Sequence, residues 1–267
     1  MLLQSVLAVL SGSLVGFTLG LIGGGGSIMA TPLLLYVVGL QPHMAIGTGA
    51  LAVSANAFIN FAGHARAGNV RWRDAVLFAA VGVAGAAVGA WFGKSFDGQR
   101  LLFLFAVLMV AVGVLMLRSG RGRPASSGAQ EDQGDQGAGR RAALVVASAL
   151  GVGLLSGFFG IGGGFLIVPG LLFSTGMPML SAVGSSLLAV GAFGLTTAVS
   201  YAFSGLVDWV VAAEYIAGGL AGGYLGMQLA CRLGSRKAAL NRIFAALVFV
   251  VAAYMLYRNA SAFGFAP

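Results

Sequence analysis

Gly20 to Pro32 reads GLIGGGGSIMATP, and Gly157 to Pro169 reads GFFGIGGGFLIVP. The same glycine-rich interruption of an apolar run therefore occurs twice, 137 positions apart. The register holds beyond the glycines: Ala45-Ile46-Gly47-Thr48 falls on Ala182-Val183-Gly184-Ser185, Trp72 on Trp209, and Gly85 and Gly89 on Gly222 and Gly226. The chain reads as two copies of one unit, 1–118 and 142–267, joined by a connector over 119–141. Ser119 to Gly139 is rich in Gly, Ser, Gln and charge, too polar to bury, and reads as a flexible cytoplasmic linker.

Composition decides the solvent. Hydrophobic residues make up 58% of the chain and charged residues 8%, in apolar stretches too long for a soluble core. A polytopic, all-helical membrane protein embedded in the lipid bilayer is expected. Its segments are 5–22, 28–40, 44–63, 75–93 and 101–117, repeated at 142–159, 165–176, 180–204, 210–230 and 240–257. The second of each five is short. At about 1.5 Å per residue it reaches only about 20 Å, below the roughly 30 Å hydrocarbon core, so it starts inside the membrane or re-enters it. Irregular backbone at membrane depth is tolerated only where protein buries it or a cavity wets it. The glycine breaks are therefore expected to face an internal cavity.

Basic residues set the orientation. With ten crossings, Arg66, Arg71, Arg73, Arg118, Arg121, Arg123, Arg140, Arg141, Arg232, Arg236, Lys237 and Arg242 share one side, leaving Lys94, Arg100 and Arg258 opposite. If the short segments re-enter, leaving eight crossings, the same residues divide far more evenly. Ten segments with both termini outside is the preferred reading. Five per copy is odd, so the second copy enters from the opposite face and the repeats are inverted, an architecture used by many secondary transporters; eight crossings would make them parallel. The net charge of +8 lies in short loops and the linker with no aromatic-interleaved basic face, which argues against nucleic acid. The lone Cys231 forms no intramolecular disulfide or cysteine metal site. MLLQSVLAVLSGS lacks a basic start and flows into the repeat, so it reads as a retained segment rather than a signal peptide.

Candidate binding residues follow from the breaks. Gly23, Gly24, Gly25 and Gly26, and Gly160, Gly162, Gly163 and Gly164, precede helices whose first amides lack intrahelical partners. Without a Cβ, glycine lets a ligand approach those amides. Ser27 adds a hydroxyl on one side only, since its counterpart is Gly164. A second polar cluster comprises Gly47, Thr48, Gly49, Ser54 and Asn56, matched by Gly184, Ser185, Ser186 and the later Thr196 and Thr197. Thr48, Asn56, Ser185 and Ser186 are the candidate neutral donors to an oxyanion; Thr48 and Ser185 stand out because both copies keep a hydroxyl. The competing role for each is a bond between helices or to the preceding turn. Gly82, Gly85, Gly89, Gly219, Gly222, Gly223 and Gly226, at helical spacing, read as close-packing positions.

Three ionisable residues are coupling candidates. His64 and Arg66 lie just past a segment end and read either as an interfacial loop or as an anion-attracting, pH-sensitive pair. Glu214 is the only glutamate in an expected membrane segment, about one turn from its end and opposite Leu77 in the other copy, which makes it a proton-coupling candidate. Glycine spacing near Gly160 invites a dinucleotide reading, but no βαβ unit or Walker lysine accompanies it, and no cofactor is expected. No nucleophile–base pair or HExxH cluster supports an enzyme.

The breaks, AIGTGALAV (45–53) and AVGSSLLAV (182–190), then GNVRW (68–72) and GLVDW (205–209), together resemble the sulfite exporter family TauE/SafE. The match spans nearly the whole chain outside the linker. It departs at Gly47-Thr48-Gly49, where a GTS-type triplet is common, and at Arg71 opposite Asp208. The resemblance implies a multi-pass bacterial inner-membrane carrier of sulfite, sulfonates or related small anions, often exporting them. It would bind the anion between Gly23–Ser27 and Gly160–Gly164 and rock one repeat against the other. An anion channel, or a carrier of a different small organic anion, is the alternative, and small-residue helix faces permit a homodimer.

Overall fold

A computed structural model describes residues 2–119, 135–160, 164–232 and 249–258. Among the described residues every regular element is helical. In chain order they are α1 (Leu2–Ile22), a 3-10 helix (Gly23–Met29), α2 (Ala30–Tyr36), α3 (Pro42–Arg66), α4 (Trp72–Ser95) and α5 (Gly98–Ser119). The second copy gives α6 (Asp135–Phe159), α7 (Gly164–Thr175), α8 (Met179–Ala202), α9 (Trp209–Arg232) and α10 (Phe249–Arg258). Each of the first nine expected segments contains a helix, and α10 overlaps the tenth, whose residues 240–248 lie outside the described residues. Most of the polar linker, 120–134, lies outside the described residues; its end, from Asp135, is wound into α6.

Local chemistry explains the boundaries. Pro42 opens α3 at a position where its missing N–H is no loss, and Pro178 precedes α8. Asp208 caps α9 by accepting the amides of Val210 and Val211, each at 3.1 Å. Asp97 does the same for α5, accepting from Gln99 at 3.1 Å and Arg100 at 3.0 Å. Arg71, the counterpart of Asp208, cannot cap and instead pairs with Asp74 at 3.0 Å.

Among the described residues, four helices are long and apolar enough to cross a membrane: Leu2–Leu21, Pro42–Arg66, Trp72–Ser95 and Ser181–Ala202. Burial separates their roles. The apolar stretches of α3 and α8 are 67% and 72% buried, those of α1 and α4 33% and 44%, so α3 and α8 form the centre and α1 and α4 the flanks. The flanking faces expose large apolar side chains such as Val88, Trp91, Leu220 and Leu225, and Trp72 and Trp209 stand exposed at the equivalent starts of α4 and α9.

The copies are interlaced rather than side by side. Gly12, Gly16 and Gly20 of α1 meet Tyr215, Gly219 and Gly223 of α9, and Gly153 and Gly157 of α6 meet Gly82 and Ala86 of α4. Gly85, Gly89, Gly222 and Gly226 meet the backbones of Leu150, Leu154, Ser13 and Phe17, the close packing expected for them. The contacts ascend together, so α1 runs parallel to α9 and α6 parallel to α4. The central pair behaves differently. Gly47, early in α3, lies against Tyr201, late in α8, whereas Gly184, early in α8, lies against His64, late in α3. The homologous helices α3 and α8 therefore run antiparallel. They cross where the Ser54 hydroxyl donates to the Gly191 carbonyl at 2.7 Å, and Gly191 is Ser54's own counterpart. Contacts that exchange i with j in this way are those of an approximate two-fold axis.

α2 also returns along α1. The Gln4 amide donates to the Val38 carbonyl at 3.4 Å, placing the end of the short segment beside the start of α1. At the same end Tyr36 meets Tyr254 of α10 edge-on, with ring centroids 5.0 Å apart.

Candidate functional site

The two glycine breaks differ. In the first, Gly23 to Gly26 are themselves wound into the 3-10 helix that runs into α2, so the gap expected before a new helix does not open. Short-range 3-10 bonds occupy amides that a free helix start would present. In the second, Gly160 takes φ +65°, a conformation that favours glycine, and the Ile46 side chain of α3 lies where a Cβ would stand. Gly164 opens α7; Gly162 and Gly163 lie outside the described residues. The 3-10 helix packs against α1, α7 and α8, so the first break sits against the helix that follows the second. Ser27 is fully buried there.

The paired hydroxyls act on backbone. Thr48 Oγ1 accepts the Asp208 amide at 3.0 Å, and Ser185 Oγ accepts the Arg71 amide at 3.0 Å. Each fixes the loop that starts α9 or α4. Ser186 donates to the Val183 carbonyl at 2.8 Å, Thr196 to Ala192 at 2.8 Å and Thr197 to Phe193 at 3.0 Å, all bonds to the preceding turn.

Asn56 is another matter. It is fully buried, and neither its side-chain nitrogen nor its side-chain oxygen has a hydrogen-bond partner among the described residues. Its backbone carbonyl accepts from the Asn60 amide at 2.8 Å, and its carboxamide lies against Gly219 of α9. One turn earlier on that face of α9 stands Tyr215, fully buried, with its hydroxyl unpartnered. Thr31 of α2, also buried and unpartnered, faces Gly49 of α3, which lies two helical turns before Asn56. The counterparts of these three are Phe193, Phe78 and Val168, all apolar and buried. Each empty polar group costs on the order of 1–3 kcal/mol in desolvation.

Of the ionisable candidates, His64 lies in the last turn of α3 rather than in a loop, is 4% exposed, and has both ring nitrogens unpartnered among the described residues. Its counterpart Tyr201 is fully buried with an unpartnered hydroxyl, and sits 6.3 Å from the His43 ring. Arg66 is exposed at the helix end, and Glu214 is half-buried beside Tyr215.

The family described as Sulfite exporter TauE/SafE matches residues 8–255. The chain belongs to the TauE/SafE family. It is 54% identical over 261 residues to a "Probable membrane transporter protein" of Xylella fastidiosa (strain 9a5c), covering 97% of this chain and 98% of that one. It is 28% identical over 236 residues to the "Probable membrane transporter protein YunE" of Bacillus subtilis (strain 168), covering 83% and 86%. A more distant relative is the "Probable membrane transporter protein MJ0441" of Methanocaldococcus jannaschii, 26% identical over 217 residues, covering 79% and 74%. No solved structure matches the chain. This TauE/SafE chain is therefore a membrane transporter.

Tyr215 and Thr31 were not candidates on sequence. The signal that finds them is the one that picked out Glu214 against Leu77: superposing the copies and asking where one holds a polar group and the other an apolar one.

Proposed function

We propose that this TauE/SafE protein is a secondary carrier of small sulfur-containing anions, sulfite or organosulfonates, exporting them across the bacterial inner membrane by alternating access between inverted repeats. The antiparallel crossing of α3 and α8 carries the reading. A two-fold axis that reverses a membrane-spanning helix lies in the membrane plane, and such an axis makes two equivalent half-sites open alternately to opposite faces. With re-entrant short segments the two helices would run parallel. The return of α2 to the start of α1 supports a full crossing by the short segment.

Cargo is held near the breaks, with Asn56 close by, by neutral donors rather than by a buried cation. A hydrogen bond to a charged partner contributes about 1.5–3 kcal/mol, so three give about 5–9 kcal/mol. That corresponds to roughly millimolar to micromolar affinity, tight enough to select and weak enough to release. Glu214 is the coupling candidate: loss of proton-gradient dependence in Glu214→Gln assigns it, and unchanged dependence removes it.

The deciding experiment reconstitutes the protein in liposomes and measures uptake of sulfite, sulfate, taurine and sulfoacetate with and without a pH gradient. Saturable, gradient-driven uptake of one anion supports the carrier. Non-saturable conductive flux replaces it with a channel, and no uptake of any removes this cargo class.

A further inference from the structure

The two-fold relation makes one difference between the halves informative. A Cβ on Gly82 would fall on the Phe193 ring, and a Cβ on its counterpart Gly219 would fall on the Asn56 carboxamide. Positions 193 and 56 therefore occupy equivalent places between equivalent helices. At the α4–α8 junction, Phe193 stacks with Phe78, with centroids 6.3 Å apart and planes at 27°. At the equivalent α3–α9 junction the same two places hold Asn56 and Tyr215. Three hydrogen-bonding functions at these places have no partner among the described residues: the Asn56 side-chain N–H and C=O and the Tyr215 O–H.

We propose that Asn56 and Tyr215 form a one-sided subsite that binds an oxygen of the transported anion, and that the Phe193–Phe78 pair is its sealed counterpart. The inference rests on the carrier reading for the identity of its ligand. Both groups donate: the carboxamide through N–H and the phenol through O–H. Tyrosine on this side differs from phenylalanine on the other only by that donor. The Asn56 oxygen is free to accept a proton-bearing oxygen, so the subsite favours a singly protonated oxyanion over a fully deprotonated one. Asn56 stands on the first repeat and Tyr215 on the second, so the subsite is built between the repeats.

The mirror image supplies the variants. Asn56→Phe with Tyr215→Phe copies the Phe193–Phe78 packing into the α3–α9 junction and is expected to fold, with a raised melting temperature. Tyr215→Phe alone removes one hydroxyl. Two measurements are made on each and on the native protein: liposome uptake of sulfite and sulfoacetate, and the shift in melting temperature that those anions and sulfate produce in detergent. The expected result is a KM raised roughly tenfold or more in Tyr215→Phe, with uptake and anion-induced stabilisation lost in the double variant. Native uptake with unchanged KM in both variants overturns the subsite and leaves the carrier standing. No native uptake, but a stabilisation that the double variant loses, keeps the subsite and overturns the carrier. Native protein stabilised by none of the three anions, with no uptake, overturns both.

Discussion

The Thr48 hydroxyl accepts the backbone amide of Asp208 at 3.0 Å, across the interface between the two copies, and the mirror bond, from the Arg71 amide to Ser185, has the same length. Each closes a loop against a helix of the opposite copy, so the halves are stitched together at both ends of α3 and α8.

Removing one stitch leaves an amide unanswered. Thr48→Val is expected to destabilise by about 1–3 kcal/mol and Thr48→Ser by much less. At about 2–4 °C per kcal/mol for a chain of this size, the melting temperature falls by several degrees. Thermal unfolding of the purified protein in detergent measures it, and an equal loss in the serine variant would assign the effect to the methyl group.

Glycines on α6 should divide sharply. Gly153 sits against the Gly82 backbone, where a Cβ would stand 2.9 Å from the carbonyl carbon, whereas Gly151 has nothing within 4 Å. Gly153→Ala is expected to prevent close packing of α6 on α4 and to reduce the yield of monodisperse protein. Gly151→Ala, in a helix interior, is expected to stabilise by about 0.5–1 kcal/mol.

At the second break, Gly160 combines φ +65° with the Ile46 side chain in contact. Gly160→Val faces both obstacles, so it should insert normally yet lose transport. Combining it with Ile46→Ala removes only the steric part, so transport should stay low; full rescue would show that the backbone conformation is unimportant.

Topology has a direct test. Gln41 and Pro178 are equivalent exposed positions before α3 and α8. In a Cys231→Ala background, Gln41→Cys and Pro178→Cys should label with a membrane-impermeant thiol reagent from opposite faces. Labelling from one face would make the repeats parallel.

Much of the architecture is legible because it is periodic. The 137-residue register, the segments and the packing glycines all follow from residue type and spacing, and glycines such as Gly12, Gly16, Gly85 and Gly226 occupy the helix contacts such spacing allows. The site is less so, because its chemistry is decided by non-local partners. Thr48 and Ser185 look like donors to a ligand until the loops at Asp208 and Arg71 fold back onto them. Four successive glycines permit an open break but do not require one, and the first break takes 3-10 form. His64 looks like a loop residue because the apolar run stops before it, yet α3 continues and buries it against Gly184.

The pairing of α1 with α9 carries a consequence for biogenesis. Gly12 leaves the ribosome long before Tyr215, its eventual neighbour, has been made. At about 5–20 residues per second the delay is on the order of ten to forty seconds. During that time the first helix waits in the lipid with its small-residue groove open. The nascent protein must therefore be guarded until its ninth helix arrives, and a ribosome stalled in the linker would release a half that has no partner to dock with.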